Sequence, residues 1–449
     1  MISRIEKSEL TYCSNVHPGE SAESVIQNLR RYVGQTRQDR GLDVMSAGIW
    51  ISDRAARELQ DPGLRKKYIE TLKKENLWPV SINGFPFGGF HDSRVKETVY
   101  EPDWSESDRL EYSMMLVNLA AEALQEAPAG FRHCAISTVP LGFKASWSFE
   151  KEQDALANLI KIQNRLEQVN KDSGVDISIC LEMEPGCALE ATDELIQFWD
   201  RLRDFAASND NRSNQNSDKE HRNANSISHL GVCYDVCHQA VMFEDIGFSL
   251  RSLHRAGIPV FKIQISSAIE VRWPGAKSAE DPAAKEQLII DRLSPFCDER
   301  YLHQTSVYSG SLESQTPAAN EGQSRSVSGS LQRFLDLPMA LNEKESRSGP
   351  GGGFKDRETW RIHYHVPIHL NDLEQSDTSD GYLFTTRKQI EEALDFLMES
   401  QARPILEIET YTWTVLPPGI RNRYENVIEA IQLEFQYLEK ELERRKLLE

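Results

Sequence analysis

The chain has 449 residues, 39% hydrophobic and 27% charged, and its 51 basic and 70 acidic side chains leave a formal charge of −19. That length suits one large α/β barrel, which takes about 250 residues before insertions, or two medium domains. The acidic balance excludes nucleic acid as an expected partner, because a phosphate backbone rewards basic patches and none stands out here.

Seven cysteines, an odd number without a CxxC pair, argue against a disulfide framework or a zinc ribbon and for a reducing compartment. No stretch approaches the ~20 apolar residues of a membrane span. The opening MISRIEKSELTYCSN lacks a signal-peptide core, so a cytoplasmic protein is expected.

In chain order, strand-like apolar runs occupy 10–17, 46–51, 79–85, 134–139, 177–183, 230–236, 260–266, 362–368 and 404–410. Helical stripes lie between them. Val25, Ile26, Leu29 and Val33 form one, and Leu156, Leu159, Ile160 and Leu166 another. Ile390, Leu394 and Leu397 make a third, with Thr386 and Gln389 as a capping box in front. Gly257 and Pro259 end a helix and lead into the next strand. This alternation predicts a parallel sheet, and with no Gly-rich dinucleotide fingerprint a closed (β/α)8 barrel is favoured over a doubly wound sheet.

Three polar stretches, 207–228, 305–331 and 342–355, are too poor in apolar residues to offset their ordering entropy and are expected as disordered insertions on a single barrel spanning 1–449. GPGGGF in the last is no phosphate loop, because no GK[ST] follows. From Arg423 onward, Val427, Ile428, Ile431, Phe435, Leu438 and Leu442 mark one amphipathic helix expected to close the barrel.

The strands end in polar residues, and residues i and i+2 share a face. Glu182 with Glu184, and Glu407 with Glu409, therefore make two carboxylate pairs at strand ends, costly to bury unless they bind a cation or share protons. In a barrel those ends form the active-site mouth. Asp235 ends another strand with His238 three residues on, Lys262, Gln264 and Ser266 share a face, and His363 and His365 lie on one side of HYHVP. His17 closes the first strand. The HxH suits either metal ligation or a satisfied polar network, and Cys233 and Cys237 read as small buried hydrophobes before ligands. Glu, Asp and His on separate strand ends match the donors preferred by Mn²⁺, Mg²⁺ or Zn²⁺. No GxSxG is present, so nucleophilic hydrolysis ranks low.

The succession LTYCSNVHPGES, ICLEMEPGCAL, GVCYDVCHQAVMFED and ILEIETYTW resembles the xylose-isomerase-like TIM barrels, which include sugar isomerases, sugar epimerases and endonuclease IV. With KIQISSA, YLHQ and HVP added, the motifs resemble the EboE family of metabolite traffic proteins over nearly the whole chain outside the polar insertions. The resemblance implies a divalent-metal centre of Glu182, Asp235 and Glu409, or Glu409's face-mate Glu407. Gln264 stands where a His is common, and His303 and His365 are the imidazoles near enough to replace it. It also implies Glu182 and Glu409 as catalytic acid/base residues and His238 as a substrate contact. His17, Lys262, Glu184, Glu407 and Trp413 complete the expected substrate-binding set, Tyr411 and Trp413 being either stacking or packing groups.

One barrel strand too many resolves in two ways: strand seven is 260–266 with 362–368 in an insertion over the mouth, or the reverse. The first is preferred, with His365 reaching the site. The expected function is isomerisation or epimerisation of a sugar-like substrate by metal-assisted proton transfer. The alternative is a metabolite-binding component of the same pathway, working with its other proteins and without turnover. A metal-dependent hydrolase built on the HxH is a third reading, and endonuclease-like cleavage ranks below all of these.

Overall fold

The structure, a computed structural model, describes residues 4–91, 94–213, 227–274, 282–310, 329–347, 358–374 and 382–449. Among the described residues, thirteen strands fall into two sheets. Eight of them are β1 (Thr11–Tyr12), β2 (Met45–Trp50), β3 (Leu77–Asn83), β4 (His133–Thr138), β5 (Asp176–Glu182), β6 (Leu230–Asp235), β7 (Val260–Ile265) and β13 (Ile405–Ile408). They pair parallel in the order β1-β13-β7-β6-β5-β4-β3-β2. A single parallel bridge, Cys13 to Gly48, spans the remaining seam and nearly closes the barrel. Gly48 is required there, because a Cβ would overlap the Glu407 carboxylate and the Tyr12 carbonyl.

Helices return the chain between the strands, and the sequence stripes are their buried faces. Val25, Ile26, Leu29 and Val33 are buried, as are Leu156, Leu159 and Leu166, and Ile390, Leu394 and Leu397. Among the described residues no helix is long and apolar enough to cross a membrane. The C-terminal helix is shorter than expected, starting at Val427 and running to Arg444, because the Asn426 side chain caps it by accepting from Ile428 and Glu429 N–H. It packs on the barrel through Ile431, Phe435, Leu438 and Leu442, with the Phe435 ring 6.3 Å from that of Tyr12.

Strand seven is β7: it pairs with β6 and β13, register Asp235 to Gln264 and Gln264 to Glu407. The connection after it carries a second, antiparallel sheet of β8 (Ile269–Arg272), β9 (Thr305–Ser309), β10 (Ser330–Phe334), β11 (Glu358–Ile362) and β12 (Leu383–Thr385), in the order β10-β9-β11-β8-β12. This sheet has its own apolar core, including Ile269, Val271, Val307, Trp360 and Ile362. The run at 362–368 is thus no barrel strand. It leaves β11 and crosses the barrel mouth.

Two further expectations need correction. Thr386 precedes the helix Arg387–Ser400 but makes no side-chain cap, because its hydroxyl accepts from Ala268 N–H at 2.8 Å and ties the inserted sheet to the helix start. The three polar stretches are partly ordered: Thr305–Ser309 is a central strand with Val307 and Tyr308 buried, and the helices Thr192–Ser213 and Leu337–Arg347 run into the other two. A short β-branched segment beside a long polar one is diluted when composition is averaged over both. The rest of the expected insertions, 214–226, 311–328 and 348–355, lies outside the described residues.

Candidate active site and metal centre

Three carboxylates converge at the C-terminal mouth of the barrel. Glu182 ends β5, Asp235 ends β6 and Glu409 follows β13, and each offers an oxygen within 4.8 Å of the others'. All three are at most 3% exposed. Asp235 is positioned by its own helix start: Oδ1 accepts from His238 N–H at 2.9 Å and from the Ser266 hydroxyl at 2.8 Å. Glu409 Oε1 accepts from Asn15 Nδ2 at 2.8 Å and Asn83 Nδ2 at 3.3 Å. Glu182 Oε2 and Asp235 Oδ2 have no hydrogen-bond partner among the described residues.

Burial and mutual repulsion set their charges. Desolvation, then Glu409 and Asp235, push Glu182 well above the usual carboxylate range; desolvation and then Asp235 do the same to Glu409. For Asp235, desolvation is outweighed by His238, His365 and its two hydrogen bonds, which hold it below its ordinary value. A cluster of one ionised and two proton-holding carboxyls with orphaned inward oxygens is the arrangement a divalent cation would relieve.

His365 supplies the imidazole absent from strand seven. Its Nδ1–H donates to the Glu409 carbonyl at 3.0 Å, so Nε2 carries the lone pair; Nε2 has no hydrogen-bond partner among the described residues and lies 3.9 Å from Asp235 Oδ2. Burial lowers its pKa to about 4, leaving it neutral and able to ligate. Glu182, Asp235 and Glu409 form one cluster that fits a divalent cation, and Asp235 also stands within ligand range of His365 and His238, so the oxygen donors suit Mg²⁺ or Mn²⁺ and a nearby nitrogen admits Zn²⁺.

A cleft opens over this floor. Glu182, Glu184, His238, His363, His365 and Glu409 line its polar side, and Phe85, Phe90, Tyr100, Tyr301 and Tyr411 its aromatic wall. Gly186 turns the chain after Glu184 with φ of +86°, and its N–H donates to Glu190. Glu184 Oε1 accepts from the Tyr100 hydroxyl at 2.8 Å, and burial raises its pKa to about 7. Burial, reinforced by His238 and His365, pushes His363 well below the usual imidazole range.

Five residues expected at the site are elsewhere. Lys262 and Glu407 form an ion pair of 2.6 Å with no exposure at all, one layer deeper in the barrel interior. Gln264 is also interior, its Oε1 accepting from the Cys233 thiol at 3.2 Å. His17 stacks on Tyr32 at 3.9 Å and bonds to the Tyr12 hydroxyl, while Trp413 packs against Tyr424. None of the five lines the cleft. Asn15, Asn83, Tyr100 and Gln304 belong to the site without having been selected from the sequence, whereas His363 was read there as half of the HxH pair. Asn83 ends β3 as Glu182 ends β5 and could have been found by the same signal; Gln304 had none.

No family model matches the chain, and no curated protein does. The EboE resemblance therefore rests on its motifs alone. Among solved structures the chain is similar to a D-tagatose 3-epimerase-like protein, at 12% identity over 97% of this chain and 98% of that one, TM-score 0.44. It is similar to the probable 3-DHS dehydratase AsbF involved in petrobactin synthesis from Bacillus anthracis, at 13% identity over 96% and 98%, TM-score 0.40. A xylose isomerase-like TIM barrel protein from Mycobacterium smegmatis in complex with magnesium matches at 10% identity over 97% and 99%, TM-score 0.39. The barrel assignment stands on the strand order itself.

Proposed function

We propose that the chain is a divalent-metal-dependent isomerase or epimerase acting on a sugar-like hydroxycarbonyl compound, of the xylose-isomerase-like kind. The observation that carries this reading is the cluster of Glu182, Asp235 and Glu409, buried at the barrel mouth with orphaned oxygens and His365 beside them. A divalent cation held there would orient neighbouring carbonyl and hydroxyl oxygens and offset the negative charge that develops when the carbon between them loses a proton.

Glu182 and Glu409 rise from strands on different sides of the mouth and act as the proton-moving pair. Burial and neighbouring carboxylates push both above the usual carboxylate range, the direction that favours a group able to hold and return a proton. Asn15 and Asn83 hold Glu409 in place, and His238 and Tyr411 face the bound molecule from the cleft wall. The aromatic wall excludes water from the reacting carbons.

The alternative, a binding component without turnover, draws on the traffic label of the resembling family and on Gln264 in strand seven; His365 Nε2 at 3.9 Å from Asp235 Oδ2 favours the isomerase reading over it. Turnover on a panel of ketoses and aldoses with Mn²⁺, Mg²⁺ or Zn²⁺ tests the proposal. Wild type is expected to exchange substrate hydrogen with solvent deuterium, and Glu182→Gln and Glu409→Gln to lose about 10³-fold or more. Unchanged turnover in both variants would sink it.

A further inference from the structure

We propose that His238, His363 and Glu184 form a second cation site beside the carboxylate cluster, one suited to Zn²⁺ or Co²⁺. The proposal starts from where the ring protons are. His238 Nδ1 lies 2.9 Å from the Met183 carbonyl, which only accepts, so Nδ1 carries the proton. Gln304 Nε2 donates to the Pro185 carbonyl at 2.9 Å and to the Tyr100 hydroxyl at 2.8 Å, which fixes the orientation of its amide. Its Oε1 therefore faces His363 Nδ1 at 2.7 Å, and that nitrogen is a donor as well.

Both rings thus present Nε2 lone pairs, and these two atoms are only 3.1 Å apart. Two lone pairs at that distance repel unless something electron-poor lies between them. On a tetrahedral centre with metal–nitrogen bonds of about 2.05 Å, two nitrogens stand about 3.3 Å apart, close to what is seen. Glu184 supplies the third donor: a carboxylate oxygen lies within 4.8 Å of a ring nitrogen of each histidine, Oε1 is anchored by Tyr100 and stands 3.8 Å from His363 Nδ1, and the buried Oε2 has no partner among the described residues.

The surroundings match those of metal-bound histidines, which donate their other N–H to a carbonyl and so fix tautomer and ring orientation. Three ligands, all lining the cleft, leave a fourth position open toward it, the pattern of a catalytic zinc centre. Two imidazoles and one carboxylate favour Zn²⁺ or Co²⁺, whereas the three-carboxylate cluster favours harder ions. His363 follows the inserted strand β11 and its ring is braced by Gln304 just before β9, so the inserted sheet completes this site. None of its three ligands belongs to the carboxylate cluster, although His238, which the isomerase reading sets against substrate, would serve here as a ligand.

Chelator-stripped full-length protein titrated with Co²⁺ and Zn²⁺, with stoichiometry from calorimetry and elemental analysis and with Co²⁺ visible absorption, tests the proposal. Two equivalents are expected in wild type. His363→Ala and, on a different element, His238→Ala should each retain one equivalent and lose the strong visible band of low-coordinate, imidazole-bound Co²⁺. Glu182→Gln should lose the other equivalent and keep the band. A single wild-type equivalent lost only in Glu182→Gln, or two equivalents surviving both histidine variants, overturns the second site and leaves the isomerase reading standing. One equivalent lost only in the histidine variants supports the second site and sinks the metal of the isomerase reading instead. Circular dichroism melts establish that each variant is folded, and the wild-type stoichiometry needs no variant at all.

Discussion

At the scale of single residues, depth in the barrel separates groups that look alike in sequence. Glu407 and Glu409 share a face, yet Glu409 meets the cleft while Glu407 is sealed against Lys262 with neither side chain exposed. Breaking such a pair from one side leaves an uncompensated buried charge. Lys262→Met should therefore cost about 3–5 kcal/mol of stability, and Lys262→Met combined with Glu407→Leu should recover most of it, both read from denaturant unfolding. A rise in KM with unchanged stability would return Lys262 to the substrate-binding role its position suggested. Alternation told which face these residues occupy and left Glu182 with Glu184 and Glu407 with Glu409 as pairs; the family resemblance pointed to Glu182, Asp235 and Glu409, or Glu407 in its place, and the structure brings the oxygens of Glu182, Asp235 and Glu409 together. It carries no information on height along the barrel axis. His17 and Trp413 were misplaced for another reason: each lies at or within a 3-10 turn, Ser14–Val16 and Tyr411–Thr414, where strand alternation has stopped.

At the scale of elements, the barrel strands and helical stripes were readable because each carries its own periodicity. The inserted sheet was not, because its strands are short and lie next to long polar stretches, and its pairing joins segments as distant as Val271 and Leu383. Yet that sheet delivers His363 and His365 to the mouth. The C-terminal helix is fastened to the same region: Glu434 accepts from the Thr410 hydroxyl at 2.6 Å and from Ile368 N–H at 3.1 Å, joining the helix to the loops behind β13 and after β11. Burial raises the Glu434 pKa from 4.5 to about 7. The folded protein thus holds a proton that the unfolded chain releases near pH 4.5, and stability from this group, full below that pH, falls as pH rises toward 7. The loss amounts to about 3 kcal/mol across that window. Glu434→Gln keeps an acceptor and removes the titration, so its melting temperature should fall less than that of wild type between pH 4.5 and 7. Identical slopes for the two proteins would contradict this.

At the scale of the whole molecule, the described residues form a parallel, nearly closed barrel with an antiparallel sheet inserted after its seventh strand. The net charge of −19 is mostly solvated surface, but the carboxyls at the mouth are a buried part of the acidic count. Without a cation, desolvation and then neighbouring carboxylates, Asp235 among them for both, push Glu182 and Glu409 well above the usual carboxylate range, toward the proton-holding form. Binding a divalent ion there must release protons, because ligating carboxylates are ionised. Binding to the folded state alone also stabilises it, by about 2.7 kcal/mol at a hundredfold excess over Kd.

Calorimetric titration of chelator-stripped protein with Mn²⁺ at pH 7, repeated in two buffers of different ionisation enthalpy, tests the central claim most directly. The account predicts a bound equivalent whose apparent enthalpy shifts between buffers by the heat of at least one released proton, and which is missing from the Glu182→Gln, Glu409→Gln double variant. No binding by wild type, or binding of that equivalent unchanged in the double variant, would contradict it.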